Sequence, residues 1–280
     1  MINGVPPEPS AVPTDNSPAP RIDPTVPNIA RVYDYFLGGK DNFAADRAMA
    51  EHLLQIEPAV EMNVRDNRAF LERTVHHAAR EGLRQFLDVG SGLPTQRNVH
   101  QVAHATAPSA RVVYVDNDAV AAAHGRALLD TGDGRVRMVQ ADVRDVNTLL
   151  ADRTLMEVLD FSQPIAVIMV ALLHFVPGDE PYEILRILRE RLVPGSRLVI
   201  SHATPGAMTT DAVRKAVEAY KRASQQMHLR SLPDIKRMFQ GWALSPEGLV
   251  PVTMWRPDGL EQPEAPRGGY FAGGVATLEG

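Results

Sequence analysis

The chain has 280 residues, 44% of them hydrophobic, with a formal net charge of -5 at pH 7. This length can bury the core of one ordinary α/β domain. The acidic balance argues against the basic surface by which proteins usually grip nucleic acid, so nucleic acid is not expected as a partner. The absence of cysteine excludes disulfides, thiolate zinc sites and a cysteine nucleophile.

Residues 1–27 are rich in proline, with no basic residue before Arg21. This composition predicts a disordered tail. A secretory signal would need a charged start and a continuous apolar region, and neither is present. The longest apolar stretch, Ile165 to Leu173, is too short to cross a bilayer, which takes about 20 residues. We therefore expect a cytoplasmic protein with no membrane partner.

Helical periodicity starts at Asn28 and predicts a helical cap over residues 28–82. Gly38 and Gly39 interrupt the first two helices, and Lys40, Asp41 and Asn42 follow the interruption. Such a loop could close over a bound ligand as a lid, or it could be an ordinary turn between helices.

A larger domain is expected over residues 83–280, and it begins with a strand, a glycine turn and a helix. Gln85 to Val89 predicts a buried strand carrying Asp88, followed by Gly90-Ser91-Gly92. Glycines let the backbone approach a ligand where a Cβ would collide. Pro94 is expected at the first helical position. A tight turn without a ligand would show the same short pattern.

Two further β-branched runs also end in acid, at Asp116 and Asp142. The ends of parallel strands share one edge of the sheet, and ligands bind in the crevice beside it. A carboxylate after the second strand suits a ribose diol, so Asp116 is the ribose candidate and Asp142 the candidate for the amino group of adenine. Both could instead cap the following helices. Together with the glycine turn, the ligand interpretation is favoured.

The glycine turn also bears on which nucleotide is bound. A nicotinamide dinucleotide would favour Gly-x-Gly-x-x-Gly, but the sixth position is Thr95. Adenosine with an amino-acid tail needs the ribose carboxylate and a close backbone, but no pyrophosphate cradle. The pattern therefore favours S-adenosylmethionine. A non-catalytic sensor of that compound and a nicotinamide oxidoreductase remain the alternatives.

The rest of the chain alternates strands and helices. The run from Gln163 to Leu173 is apolar throughout, which is typical of a central parallel strand. The predicted fold is therefore α/β, with a central, mostly parallel seven-stranded sheet and helices on both faces. The other predicted elements are helices over Val146 to Leu159, Glu180 to Leu192, Asp211 to Met227 and Leu232 to Phe239, a strand from Arg197 to Ser201, and a hairpin of Val250 to Trp255 with Tyr270 to Leu278.

His174 follows the fourth strand and is the candidate catalytic residue. A histidine with a near-neutral pKa could remove a proton from an acceptor hydroxyl or amine. The alternative is a histidine packed against adenosine or held by a backbone group. His202 is a second candidate after the fifth strand. His100 and His104 share one helix face but have no acidic partner in the pattern, so no metal is expected.

The sequence resembles an actinobacterial S-adenosyl methyltransferase family, long catalogued as a domain of unknown function. The similar segments are Ala30 to Asp46, Asn67 to Leu71, Phe86 to Thr95, Val113 to Asp118, Leu173 to Phe175, and Gly248 to Pro257. The resemblance implies a class I methyltransferase fold of the Rossmann-like type and S-adenosylmethionine as cofactor.

The resemblance implies no particular acceptor and no oligomeric state, although a small molecule is the expected substrate. It also makes Arg68 a candidate partner for the cofactor carboxylate, with Glu72 as the alternative partner, and it favours the lid interpretation of the glycine loop. The predicted cofactor-binding residues are Tyr35, Lys40, Asn42, Arg68, Asp88, Gly90, Ser91, Gly92, Asp116, Asn117, Asp142, Val143 and Ala171.

Overall fold

The computed structural model describes residues 23–94, 97–129, 132–257 and 268–280. Most of the predicted N-terminal tail therefore lies outside the described residues. One sheet contains every strand of the described part. Its strands are β1 (Gln85–Val89), β2 (Arg111–Asp116), β3 (Val136–Gln140), β4 (Ala166–Val170), β5 (Arg197–Thr204), β6 (Ala243–Leu244), β7 (Val250–Pro251) and β8 (Tyr270–Thr277).

The strand order is β3-β2-β1-β4-β5-β8-β6, with β7 paired to β8. Strands β1 to β5 are parallel, and β8 runs antiparallel to β5, β6 and β7. Strands β2 and β3 are added on one side of β1, and β4 and β5 are added on its other side, so the strand order reverses between β1 and β4. A crevice opens at such a reversal, outside the carboxyl ends of the strands.

The mostly parallel α/β sheet is confirmed, but eight strands are described where seven were predicted. The additional strand is β6, which is only two residues long. The predicted hairpin is wrong in its first arm, because only Val250 and Pro251 pair with β8 and a 3-10 helix follows at Val252–Met254. Proline has no N–H to extend a ladder, so the strand stops there.

Helices cover both faces of the sheet, as predicted. Apolar residues of α3, α4 and α5 pack on one face, and those of α6, α7 and α8 on the other. The helices are α1 (Ile29–Phe36), α2 (Ala44–Ile56), α3 (Val60–Arg80), α4 (Val99–Thr106), α5 (Ala119–Leu129), α6 (Val146–Leu150), α7 (Arg153–Val158), α8 (Glu180–Arg191), α9 (Thr210–Tyr220) and α10 (Leu232–Arg237).

Several helix boundaries differ from the sequence predictions, two of them for a clear local reason. The helix after β1 begins at Val99 rather than Pro94, because Asn98 and Gln101 form a capping box there. The predicted helix from residue 146 to 159 is two helices, since the Asp152 side chain caps a new start by accepting from the Leu155 amide. Helix α9 ends at Tyr220, short of the predicted end.

The first two helices form a cap that also contacts α9. Val32, Phe36 and Leu53 are buried together between α1 and α2. The Arg31 Nε atom lies 2.7 Å from the carboxylate of Asp46, and both side chains are buried. Removing one partner of such a pair leaves an uncompensated buried charge, so the pair fixes α1 on α2.

The third helix belongs to both parts of the fold. Val64 of α3 packs with the cap cluster, whereas Phe70 and Leu71 pack on the sheet. The domain division predicted at residues 82 and 83 remains a prediction.

Candidate functional site

A cavity of about 280 Å³ lies at the carboxyl ends of β1, β2 and β4, beneath α1. It is the crevice expected at the reversal of strand order. Most of the predicted site residues line it together, although they come from separate parts of the chain. They are Arg68, Asp88, Gly90, Ser91, Gly92, Asp116, Asn117, Asp142, Val143, Ala171 and His174.

The turn after β1 needs glycine at two positions. Gly90 and Gly92 have φ angles of 73° and 65°, in the left-handed region. A Cβ on Gly90 would lie 2.7 Å from Leu172 Cδ1. The amides of Gly90 and Ser91 both donate to the Val115 carbonyl, at 2.7 and 3.1 Å, which holds the turn against β2. The Ser91 hydroxyl is buried in the cavity wall and has no hydrogen-bond partner among the described residues.

Asp116 accepts hydrogen bonds from two backbone amides, Gly92 at 2.8 Å and Asp118 at 2.9 Å. The capping interpretation fails for this residue, because Asp118 caps the next helix by accepting from Val120 and Ala121. Burial raises the pKa of the Asp116 carboxyl. Each of its oxygens accepts one of these bonds and retains a second lone pair, so Asp116 can still accept from a ligand diol.

Asp88 is a buried carboxyl in the cavity wall. Burial raises its pKa to about 7; the positive charge of Arg68 lowers that pKa and the negative charge of Asp116 raises it. Arg68 also donates to the Arg97 carbonyl at 3.0 Å, and Glu72 pairs with the Arg97 guanidinium at 3.0 Å. Asp88 therefore changes charge near neutral pH, and a nearby cation would stabilise its ionised form.

Asp142 lies at the same edge but in a different environment. Its carboxylate accepts from the Arg144 amide at 2.9 Å, which caps the 3-10 helix Val143–Asp145. The same carboxylate accepts from the Arg144 guanidinium at 2.5 to 3.0 Å and from Asn117 Nδ2 at 3.4 Å. The hydrogen bonds from Arg144 lower the pKa of Asp142. The capping alternative therefore describes Asp142 well, and little accepting capacity is left for a ligand.

His174 is buried at the cavity wall. Its Nδ1 accepts from the Ala203 amide at 3.4 Å, so a neutral ring carries its proton on Nε2. Burial, with the nearby His202 ring and the Arg230 charge, holds the pKa of His174 well below its usual range. This shift does not favour the general-base role, which stays a prediction. The geometry favours the packed alternative, in which the ring can only donate to a ligand.

His202 does not line the cavity. Its ring lies 5.4 Å from that of His174. Its Nδ1 donates to the Ala203 carbonyl at 2.8 Å, and its Nε2 accepts from Arg230 at 3.1 Å. Burial lowers the pKa of His202 to about 4. The residue supports the floor of the site rather than offering a second base.

Ala171 follows β4 with a φ of 58°, in the left-handed region. This backbone costs a non-glycine residue about 1 to 2 kcal/mol. Its amide is held by the Ser201 carbonyl at 3.3 Å and hydroxyl at 3.0 Å. Strain of this kind persists where surrounding bonds over-determine the chain, and it is common beside ligands.

Tyr35, Lys40 and Asn42 are absent from the lining of the cavity as described. The loop after α1 is tied back to Asp34, whose carboxylate accepts from the Asp41 amide and from Asn42 Nδ2, both at 3.0 Å. The arrangement is that of a turn between helices, and it gives no support to a lid at these residues. What covers the cavity is α1 itself.

Asn28 links the cap to the strand edge, and the sequence did not predict this role. Its side chain accepts from the amides of Ala30 and Arg31, and its Nδ2 donates to Asp118 at 2.7 Å. The preference of asparagine for helix N-caps could have identified the first role. The second depends on contacts across 90 positions, for which the sequence carries no signal.

No group of three or more metal-ligating side chains occurs in the described parts of the chain. His100 and His104 are engaged elsewhere, with the Tyr114 hydroxyl at 2.9 Å and the Ala110 carbonyl at 2.8 Å. None of the helices described here is both long and apolar enough to span a membrane.

Comparison with known proteins decides the family. The model of a family described as S-adenosyl methyltransferase matches residues 15–279. The chain belongs to this family. It is an S-adenosylmethionine-dependent methyltransferase with an unidentified acceptor. The resemblance seen in the sequence is thereby confirmed.

Two solved structures resemble this methyltransferase over nearly its whole length. A DUF574 family protein from Streptomyces avermitilis is 35% identical, with a TM-score of 0.84, covering 92% of this chain and 100% of its own. A candidate methyltransferase from Thermobifida fusca is 36% identical, with a TM-score of 0.85, covering 91% of this chain and 96% of its own.

The cavity of the methyltransferase fits its cofactor. The Cβ-free turn at Gly90 and Gly92 leaves room for close approach. The unpartnered Ser91 hydroxyl, the Asp116 and Asp88 carboxyls and the Arg68 guanidinium supply donors and acceptors for a ribose and an amino acid. A nicotinamide cofactor, the weaker alternative from the sequence, is set aside by the family.

Proposed function

We propose that this methyltransferase methylates a small molecule held beneath the helical cap, and that it accelerates transfer mainly by positioning the reactants. The observation that supports this proposal is a single cavity that extends from the carboxylates at the strand ends to the apolar side of α1. The wall histidine, His174, has a pKa well below its usual range, and Asp88, whose pKa is about 7, is assigned to the cofactor rather than to the acceptor.

Different residues at the strand ends would bind different parts of the cofactor. Asp116 would accept both hydroxyls of the ribose, because its two oxygens are oriented by backbone amides. Asp88 would accept from the ammonium of the amino-acid tail, and Arg68 would pair with its carboxylate. The backbone of Gly90 to Gly92 would lie against the tail. Asp142 would contribute to the shape of the adenine end rather than bind the adenine amine.

When bound, S-adenosylmethionine supplies a sulfonium methyl carbon that takes an electron pair from the acceptor while the carbon–sulfur bond breaks onto sulfur. No covalent enzyme intermediate is needed, so alignment can account for most of the acceleration. His174 would contribute a buried ring to the wall, and the acceptor's proton would be released to solvent with the products. The cap would exclude water from the site.

Transfer of label from methyl-labelled cofactor into fractionated cell extract tests the proposal. We expect one small-molecule fraction to gain label with the wild-type chain, and the Asp116→Ala variant to label it at least tenfold more slowly. Label only in protein or nucleic acid would contradict a small-molecule acceptor. Cofactor binding measured by calorimetry without any transfer would instead support a sensor.

Two inferences from the sequence remain predictions. The cytoplasmic location and the actinobacterial origin were inferred from composition and resemblance, and both stay predictions.

A further inference from the structure

The cavity has two chemically different halves. The half at the strand ends contains the carboxylates described above. The other half, here called the acceptor half, is formed by the cap helices, α9 and β8. Its wall is mainly apolar, and its representative lining residues are Leu53, Ile56, Val60, Val64, Tyr220 and Phe271.

Positive charge is confined to the strand-end half. Among the described residues that line the cavity, the arginines are Arg68 and Arg144, and no lysine occurs. Arg68 lowers the pKa of Asp88 by its charge, and Arg144 is paired with Asp142 at 2.5 Å. An acceptor that carries a phosphate or carboxylate would therefore bury its charge without a counterion, which opposes binding.

The two acids in the acceptor half are already bound to the backbone. The Glu57 carboxylate accepts from the amides of Ala59 at 3.2 Å and Gly269 at 3.0 Å. Asp34 accepts from the loop that follows α1, and burial raises the pKa of its carboxyl. A cationic acceptor would have to compete with these amides for its partner, so a cation gains little here.

Aromatic rings surround His174 where the two halves meet. The ring of Phe175 lies 4.3 Å from His174 and 5.9 Å from Tyr220, and Phe271 lies 5.9 Å from His174. The Tyr220 hydroxyl has no hydrogen-bond partner among the described residues, and burial raises its pKa, so it stays protonated. The wall thus offers ring faces for stacking and, in Tyr220, an uncommitted O–H donor.

We propose that the methyl acceptor is an uncharged aromatic molecule that stacks among these rings and accepts a hydrogen bond from Tyr220. This inference rests on the proposed function of the same cavity. It adds the chemical class of the acceptor. The rings favour an aromatic molecule, and the positions of the charged residues favour an uncharged one.

Calorimetric titration with three matched probes tests the class. They are para-phenylphenol and its carboxylate and aminomethyl derivatives, each titrated near pH 7 into the chain with and without S-adenosylhomocysteine. We expect the uncharged phenol to bind at least tenfold more tightly than either charged derivative. Equal or tighter binding of a charged derivative, or no binding of the phenol, overturns the proposal. Failure of S-adenosylhomocysteine to bind would instead count against the proposed function.

Three variants test whether the phenol binds in the acceptor half. Tyr220→Phe should weaken phenol binding about tenfold and leave S-adenosylhomocysteine affinity unchanged. Ile56→Lys places a cation in the acceptor half and should also weaken phenol binding at least tenfold. Gln55→Lys is its matched control, because Gln55 is exposed on the same helix and does not line the cavity. Equal phenol affinity in all three variants would overturn the assignment even though each variant folds.

Discussion

The ends of β1 and β2 differ from the ends of β3 and β4, although all four carry polar side chains facing one edge of the sheet. Asp88 is buried and Asp116 is half-buried, and both have raised pKa values and accepting capacity to spare. Asp142 is bound by Arg144, and the Nδ1 of His174 by a backbone amide. Chemical type and position along a strand therefore do not decide function; the hydrogen bonds already made by each side chain do.

The largest expected effect is at Asp88, and it depends on pH. Because the folded-state pKa is about 7 against an ordinary 3.8, the bound proton stabilises the fold fully below about pH 4, and this stability is lost as pH rises through 7. Relative to Asp88→Asn, the wild-type chain should lose about 4 kcal/mol of unfolding free energy across that interval. Chemical denaturation of both chains at several pH values measures the difference. If the difference in unfolding free energy between the two chains did not vary with pH, the pKa of Asp88 would be unshifted and its carboxyl exposed to water.

Gly90→Ala tests the turn after β1. The added Cβ would meet Leu172 and displace it into the cofactor cavity, so we expect about 100-fold weaker cofactor binding, or ~2.7 kcal/mol. Gly82→Ala is the control, since Gly82 has a φ of 98° with no atom near its virtual Cβ. The control should lose stability but not affinity. Calorimetry distinguishes the two, and equal affinity in both variants would exclude close approach at Gly90.

Asp116 and Asp142 provide the most direct contrast. Asp116→Ala should weaken cofactor binding by roughly 1.5 to 3 kcal/mol, the size of a lost charged hydrogen bond. Asp142→Ala should change affinity less than about threefold while it removes a cap worth ~1 kcal/mol of stability. Calorimetric titration and thermal unfolding of the pair check both statements. Equal losses of affinity would mean that Arg144 releases Asp142 when the cofactor binds.

The smallest effect is expected at His174. In His174→Asn the amide oxygen can still accept from Ala203, so a packing role predicts less than about a threefold change in methyl-transfer rate. A general base would instead lose about 100- to 10,000-fold. The rate of label transfer across about pH 6 to 8 also distinguishes the roles. If the wild-type rate changed with pH near the usual histidine pKa and the rate of the variant did not, His174 would be a general base.

The sequence predicted the sheet edge well, because its information there is local. A buried run, two glycines and the acids after successive strands suffice to place Asp88, Gly90 and Asp116 together. Asp142 shows where this reasoning stops, since whether its carboxylate turns to Arg144 or to the cavity depends on side-chain conformation. The same residue type at equivalent positions therefore has two roles.

The acceptor half could not be predicted. Tyr220 and Phe271 reach the cavity only because α9 and β8 fold back against the cap, and residues so far from the glycine turn carry no spacing signal. For Lys40 and Asn42, where polar residues beside glycines and the family resemblance suggested a ligand contact, that contact stays a prediction. Asn42 and the neighbouring backbone satisfy the buried Asp34.

The Asn28 side chain gives the cap a thermodynamic link to the nucleotide end of the cleft. Asp46 accepts from the Asn28 amide, Asn28 donates to Asp118, and the Asp118 amide donates to Asp116. Lifting α1 would leave an Asp118 oxygen unpartnered and loosen the loop that orients Asp116. Entry and exit of the adenosyl group are thereby tied to the same hydrogen bonds that hold the helical cap in place.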